Sequence, residues 1–198
     1  MSVQQICENI YTFAIVLPDN PLKWLNCYVI KSGAEGRNLL IDTGFKRREC
    51  LEPLLEGIKE LGLMPENTDV FISHAHSDHA GNAGALEKLG FRIMMGKVDY
   101  DAMLSPYWDR RKKRVISEGM PGTVAEEVMD RNPAKNFVSD PFEPIFLYDG
   151  DLLEYGGYSL RCIVTPGHTP GHICLYDETK KLIFLGDHVL FDISPNIN

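Results

Sequence analysis

The chain is short of everything that would mark an oxidising compartment or a membrane. Its 198 residues hold five cysteines, Cys7, Cys27, Cys50, Cys162 and Cys174, an odd number with no Cys-x-x-Cys pair. A disulfide framework is therefore not expected, and the cysteines read as reduced residues of apolar segments. No run approaches the ~20 apolar residues of a membrane-spanning helix, so no membrane is expected. Met1-Ser2-Val3-Gln4-Gln5 has neither the basic start nor the apolar segment of a secretory leader, and the expected location is the cytoplasm. Positive charge is in deficit as well. Twenty Lys and Arg against 28 Asp and Glu give a formal charge of −8, whose field repels phosphates and disfavours nucleic acid as a partner. Repeats and low-complexity segments are also missing.

Histidine is scarce too, with six in all, yet three of them crowd into His74-Ala75-His76-Ser77-Asp78-His79. Imidazole and carboxylate are borderline-to-hard donors that suit zinc, iron or manganese, so this segment has the outline of a metal site. Alternation lets His74 and His76 point one way while Asp78 and His79 serve a neighbouring ion. The 44% hydrophobic and 24% charged content is that of an ordinary globular protein, and residues 1–198 are expected to form one domain.

The pattern predicts an antiparallel opening, Ile10 to Leu17 and Leu25 to Ile30, around a Pro-Asp-Asn-Pro turn. Leu39-Leu40-Ile41 reads as a buried strand, and Asp42-Thr43-Gly44 turns into an amphipathic helix over Lys46 to Leu61. A second such step runs from strand Asp69 to Ser73 through the histidine segment to a helix over Asn82 to Leu89, ending at Gly90. The ligand candidates thus sit beyond the carboxyl end of a strand, where open sheets place their chemistry. After a strand at Phe91 to Met95, residues 97–140 read as a helical insertion or lid, with helices around Tyr107 to Glu118 and Val124 to Arg131. Strands return at Ile145 to Tyr148, Ser159 to Thr165, His172 to Tyr176 and Leu182 to Leu185, a tail with the pattern of a β-meander.

Thr165-Pro166-Gly167-His168-Thr169-Pro170-Gly171-His172 sets two histidines on tight turns, where glycine and proline fix the backbone. Gly186-Asp187-His188 ends a third strand with a carboxylate and an imidazole. In this order, with Leu-Ile-Asp-Thr-Gly upstream, these motifs resemble those of the metallo-β-lactamase superfamily of hydrolases, and its glyoxalase II-like branch in particular. The resemblance runs from about Ile10 to Ile193. It implies an αββα sandwich of the α/β class, here with an incomplete second sheet and the helical insertion.

By position the resemblance implies that His74, His76 and His168 bind one metal, that Asp78 and His79 bind a second, and that Asp187 bridges the two. Asp42 would orient a ligand histidine from behind, with His172 and His188 as outer supports. Two divalent ions, zinc first and iron or manganese otherwise, would generate hydroxide at neutral pH to attack an ester or thioester, with Asp78 orienting it. The family closes its second site with a later histidine that these 198 residues do not contain. That site is therefore expected to be weak, and an apolar sheet edge is expected to be covered by a C-terminal segment or by a second copy in a homo-oligomer. Tyr107, Trp108, Arg110 and Arg111 are the candidate contacts to a small-molecule substrate. Three other functions stay open: a mononuclear-iron sulfur dioxygenase, a ribonuclease, and a metal-binding inactive fragment.

Overall fold

The computed structural model describes residues 2–33, 36–104, 107–130, 138–190 and 193–195. Strands β1 (Gln4–Cys7), β2 (Ile10–Val16) and β3 (Trp24–Ile30) form an antiparallel meander, and β4 (Asn38–Ile41) extends it. Helix α1 (Arg48–Glu60) then crosses over to β5 (Thr68–Ile72), which pairs parallel to β4. The histidine segment winds into a single turn, α2 (Ser77–Ala80), before α3 (Ala83–Lys88) leads to β6 (Arg92–Gly96), parallel to β5. Helices α4 (Lys97–Leu104), α5 (Tyr107–Ser117) and α6 (Gly122–Asp130) follow, and β7 (Ile145–Leu147) returns beside β6. A second, antiparallel sheet contains β8 (Leu152–Tyr155), β9 (Tyr158–Val164), β10 (Ile173–Asp177) and β11 (Leu182–Phe184).

The strand alternation of the first sheet builds two cores at once. Leu40, Val70, Ile72, Ile93 and Met95 pack with Leu54 and Ile58 of α1 and Leu86 of α3. Their sequence neighbours Leu39, Ile41, Phe71 and Met94 point the other way, against Leu160, Cys162, Ile173 and Leu175 of the second sheet. A sheet buried on both faces needs near-continuous apolar strands, which Leu39-Leu40-Ile41 and Val70-Phe71-Ile72 supply. The outer face of the second sheet is partly bare, with Leu152 58% and Ile183 42% exposed.

The structure corrects the expected layout in four places. Ile145–Leu147 belongs to the first sheet, parallel to β6, so the meander starts at β8, a strand the alternation did not reveal. Strand β1 was likewise unforeseen, whereas the helix over residues 97–104 falls within the segment expected to be helical. Gly122–Asp130 shifts the expected Val124 to Arg131 helix, and Arg131 lies outside the described residues.

At the end of the sheets remote from the histidines, Asp69 is fully buried on β5 and ties the layers together. Its carboxylate accepts bonds from Arg37 Nε (2.9 Å), Arg92 Nε (2.6 Å) and Nη2 (2.7 Å), and the Tyr155 hydroxyl of β8 (2.7 Å). Burial opposes ionisation, but the two guanidiniums and the phenol outweigh it and hold the carboxyl down at about 2. Because the folded value lies below the unfolded one, ionised Asp69 stabilises the fold fully above about pH 4, and that contribution fades as pH falls through about 2. The shift corresponds to about 2 kcal/mol. In urea titrations, the stability gap between the wild type and Asp69→Asn should narrow by about that amount across this window. A gap independent of pH would disprove the assignment.

Candidate metal centre

Five of the six histidines meet at one end of the sandwich. His74 and His76 follow β5, His79 stands on α2, and His168 and His172 come from the turn between β9 and β10. Around His74 the ring centroids lie 4.8 Å from His76, 4.1 Å from His79, 4.8 Å from His168 and 5.1 Å from His172. His76 and His168 are 4.4 Å apart. Asp187, in the turn after β11, reaches His79 Nε2 with one oxygen (3.3 Å) and His168 Nε2 with the other (3.4 Å).

Two sets of donor atoms, each mutually within 4.8 Å, emerge from this packing: His74, His76 and His168, and then His74, His79 and Asp187. Asp78 stands outside both sets, although its carboxyl feels the charges of His79 and Asp187. His188 stands outside them too, with its ring 6.0 Å from that of His172. His172 is fully buried, flat against His74 at 30°, with Nδ1 2.9 Å from Thr165 Oγ1. Gly186 lets it in. At φ +50 a side chain there would be strained, and its Cβ would lie 2.6 Å from His172 Nε2.

Leu-Ile-Asp-Thr-Gly explains itself at this point. Asp42 is 3% exposed and has φ +62, a left-handed conformation that aspartate tolerates better than most residues. Its oxygens accept Ser73 N (2.8 Å), Ser73 Oγ (2.9 Å) and His79 Nδ1 (2.8 Å). Ser73 Oγ is also 3.0 Å from His74 Nδ1, so one carboxylate orients two imidazoles. Thr43 binds the carbonyl of His79 through both N (2.8 Å) and Oγ1 (2.7 Å), which pins α2 to the end of β4.

The electrostatics follow from burial. Desolvation pushes His74 well below its ordinary value, helped by His79 and His76, and takes His76 down to about 3 and His172 to about 4. Burial also opposes protonation of His79, but Asp42 and Asp187 on either side overcome it and raise its pKa. Burial raises Asp187 in turn, yet His79, His168 and His74 outweigh it and hold the carboxyl well below the usual range. Desolvation lifts Asp78 above the ordinary carboxylate value.

Nitrogen donors kept neutral by burial are what a cation site requires, and His74 Nε2 is buried with no hydrogen-bond partner among the described residues. The donor set fits zinc or a similar divalent ion. Of the expected substrate contacts, Arg111 is partly buried on α5 and its charge helps to depress His76, whereas Arg110 is exposed. Tyr107 and Trp108 open the same helix, but their side chains lie outside the described residues.

Sequence reasoning missed Ser73, Thr165, Thr169 and Asp99. Burial leaves Asp99 no exposed surface, and it accepts bonds from Ala75 N, Thr169 Oγ1 and Gly171 N. A signal for the threonines existed: Thr-Pro-Gly-His occurs twice in tandem over residues 165–172, and each threonine hydroxyl holds a different part of the site.

A family model described as the metallo-beta-lactamase superfamily matches residues 25–198. Hydroxyacylglutathione hydrolase GloC of Haemophilus influenzae is 30% identical over 84% of this chain and 66% of its own length. The acyl-coenzyme A thioesterase MBLAC2 of Gallus gallus is 27% identical over 79% of this chain and 54% of its own. Among solved structures, a metallo-beta-lactamase family protein of Thermus thermophilus superposes with a TM-score of 0.81 at 29% identity, over 98% of this chain and 64% of that one. The chain thus spans between about half and two thirds of the length of these proteins.

Proposed function

This chain belongs to the metallo-beta-lactamase superfamily, and on that footing we propose that it is the metal-binding part of a hydrolase acting on a small thioester or ester. The observation that carries the reading is the pair of donor sets sharing His74, with the two oxygens of Asp187 reaching His79 on one side and His168 on the other. His74, His76 and His168 would hold one cation; His79 and Asp187, with Asp78 beside them, would hold a second. When bound, such cations make nearby solvent acidic enough to be nucleophilic near neutral pH and polarise an acyl oxygen. The protein's own part is to keep His74 and His76 neutral by burial, to fix the direction of His74 and His79 through Ser73 and Asp42, and to keep Asp187 ionised between two histidines. Asp78 orients the attacking solvent molecule. Thioesters lead the substrate classes because the similar proteins include a hydroxyacylglutathione hydrolase and an acyl-coenzyme A thioesterase.

The test is elemental analysis combined with metal-resolved turnover on a panel of thioesters, esters, lactones and phosphodiesters. The expected result is zinc in the chain and hydrolysis that is fastest on thioesters. One observation favours a second reading: His74, His79 and Asp187 make up the two-histidine, one-carboxylate donor set of mononuclear-iron oxygenases. A single iron with oxygen uptake on a sulfur substrate would replace the hydrolase by that reading.

A further inference from the structure

Two histidines of the first donor set come from different sheets. His76 follows β5 of the first sheet, and His168 lies in the turn between β9 and β10 of the second. One backbone bond, from Ile173 N to Ser73 O (3.0 Å), joins the bases of the two segments. Nearer the rings, the start of α4 meets both loops through Asp99.

Asp99 has no exposed surface. Its Oδ2 accepts the backbone N–H of Ala75 (2.8 Å), the residue between His74 and His76, and the hydroxyl of Thr169 (2.5 Å), the residue after His168. Its Oδ1 accepts the N–H of Gly171 (2.6 Å), farther along the same turn. The turn closes directly onto Asp99. A Cβ on Gly171 would lie 2.5 Å from the backbone nitrogen of Asp99 and 2.9 Å from Oδ1, so only glycine permits this approach. All three partners are donors, and an ionised carboxylate satisfies them with acceptors alone. An asparagine would turn an N–H toward at least one of them.

We propose that Asp99 is a positioning residue that sets the separation of His76 and His168 by bracing both of their loops, and thereby determines how tightly the first donor set holds a metal ion. The inference rests on the proposed metal site. It gives the site two buried carboxylates with parallel tasks: Asp42 orients the His79 side, and Asp99 gauges the His76 and His168 side.

Cobalt(II) titration of the metal-free chain, read by its visible absorption and by competition with a chelator, tests the proposal alongside thermal unfolding of the metal-free forms. Asp99→Asn should weaken cobalt binding about 10–100-fold, the range for loss of an outer partner of a metal site. Because Asp99→Asn could also impair folding, Thr169→Val is the milder probe. It should weaken binding several-fold, about 3–10-fold on the same scale, with metal-free unfolding near that of the wild type, and Thr169→Ser should restore the affinity. Ring-nitrogen NMR should show His76 and His168 losing their response to zinc before His79 does. Wild-type affinity in both Asp99→Asn and Thr169→Val would overturn the brace while leaving the proposed function intact. A wild-type chain that binds no metal would overturn both.

Discussion

Asp187→Ala is expected to release metal and abolish turnover, a loss greater than the about 10–100-fold that follows removal of an outer partner. Asp187 is the only acid in either set of donor atoms among the described residues, and it alone reaches from His79 to His168. Burial raises its pKa, but the imidazoles around it dominate, so at neutral pH the carboxylate is ionised and available. Alanine would leave Asp42 as the one carboxylate within bonding distance of His79 among the described residues and would remove the charge that balances a second cation. Asp187→Asn should fall in between, since it keeps an oxygen donor and loses the charge. His188→Ala is the control. Its ring lies next in sequence but 6.0 Å from His172 and outside both donor sets, so it should change turnover by no more than several-fold, about the scale of a lost surface contact. Zinc content after gel filtration, measured with turnover on the best thioester, checks both. Equal metal and equal rate in the two variants would show that the bridging assignment is wrong.

The second large effect is expected at Asp42. Asp42→Asn should lower stability by about 3–5 kcal/mol, the scale for removing one member of a buried charged pair. It should also weaken metal binding about 10–100-fold. The carboxylate accepts three bonds in a site with almost no solvent, from Ser73 N, Ser73 Oγ and His79 Nδ1, and an amide would set its own N–H against one of these donors. Backbone strain offers a competing explanation, because Asp42 has φ +62. Asp42→Gly separates the two, since glycine adopts that conformation freely but accepts nothing. Urea unfolding of metal-free and zinc-loaded protein should find Asp42→Gly as impaired as Asp42→Asn. Recovery in the glycine variant would instead assign the role of Asp42 to the turn alone.

The parts of the fold that were legible in the sequence are those with an unambiguous period. Leu39-Leu40-Ile41 and Val70-Phe71-Ile72 read as short strands and the apolar spacing of Leu51, Leu54, Leu55 and Ile58 as an amphipathic helix, and the structure buries both strands between two cores with that helix on one side. Strands β1 and β8 escaped notice because Gln4-Gln5-Ile6-Cys7 and Leu152-Leu153-Glu154-Tyr155 are short edge segments without clean alternation. Residues 145–147 read as part of the meander because nothing in three apolar residues specifies which sheet they join. The tertiary contact with β6 decides that.

The candidate site divides along the same line. Histidine spacing, tight Gly-Pro turns and Gly-Asp after a strand pointed to a metal site, because donor chemistry is written in residue type, and the family resemblance then nominated His74, His76, Asp78, His79, His168 and Asp187, of which all but Asp78 fall in the two donor sets. Asp99 was invisible for the opposite reason: an acid in the first turn of a helix looks like any other N-terminal acid, and only the approach of two loops from two sheets gives its oxygens something to hold. The sequence by itself determined which side chains are able to bind a cation. The tertiary structure decided which nitrogens are dry, which carboxylate lies between which histidines, and what holds them apart, since burial and distance are properties of packed elements and not of any one segment.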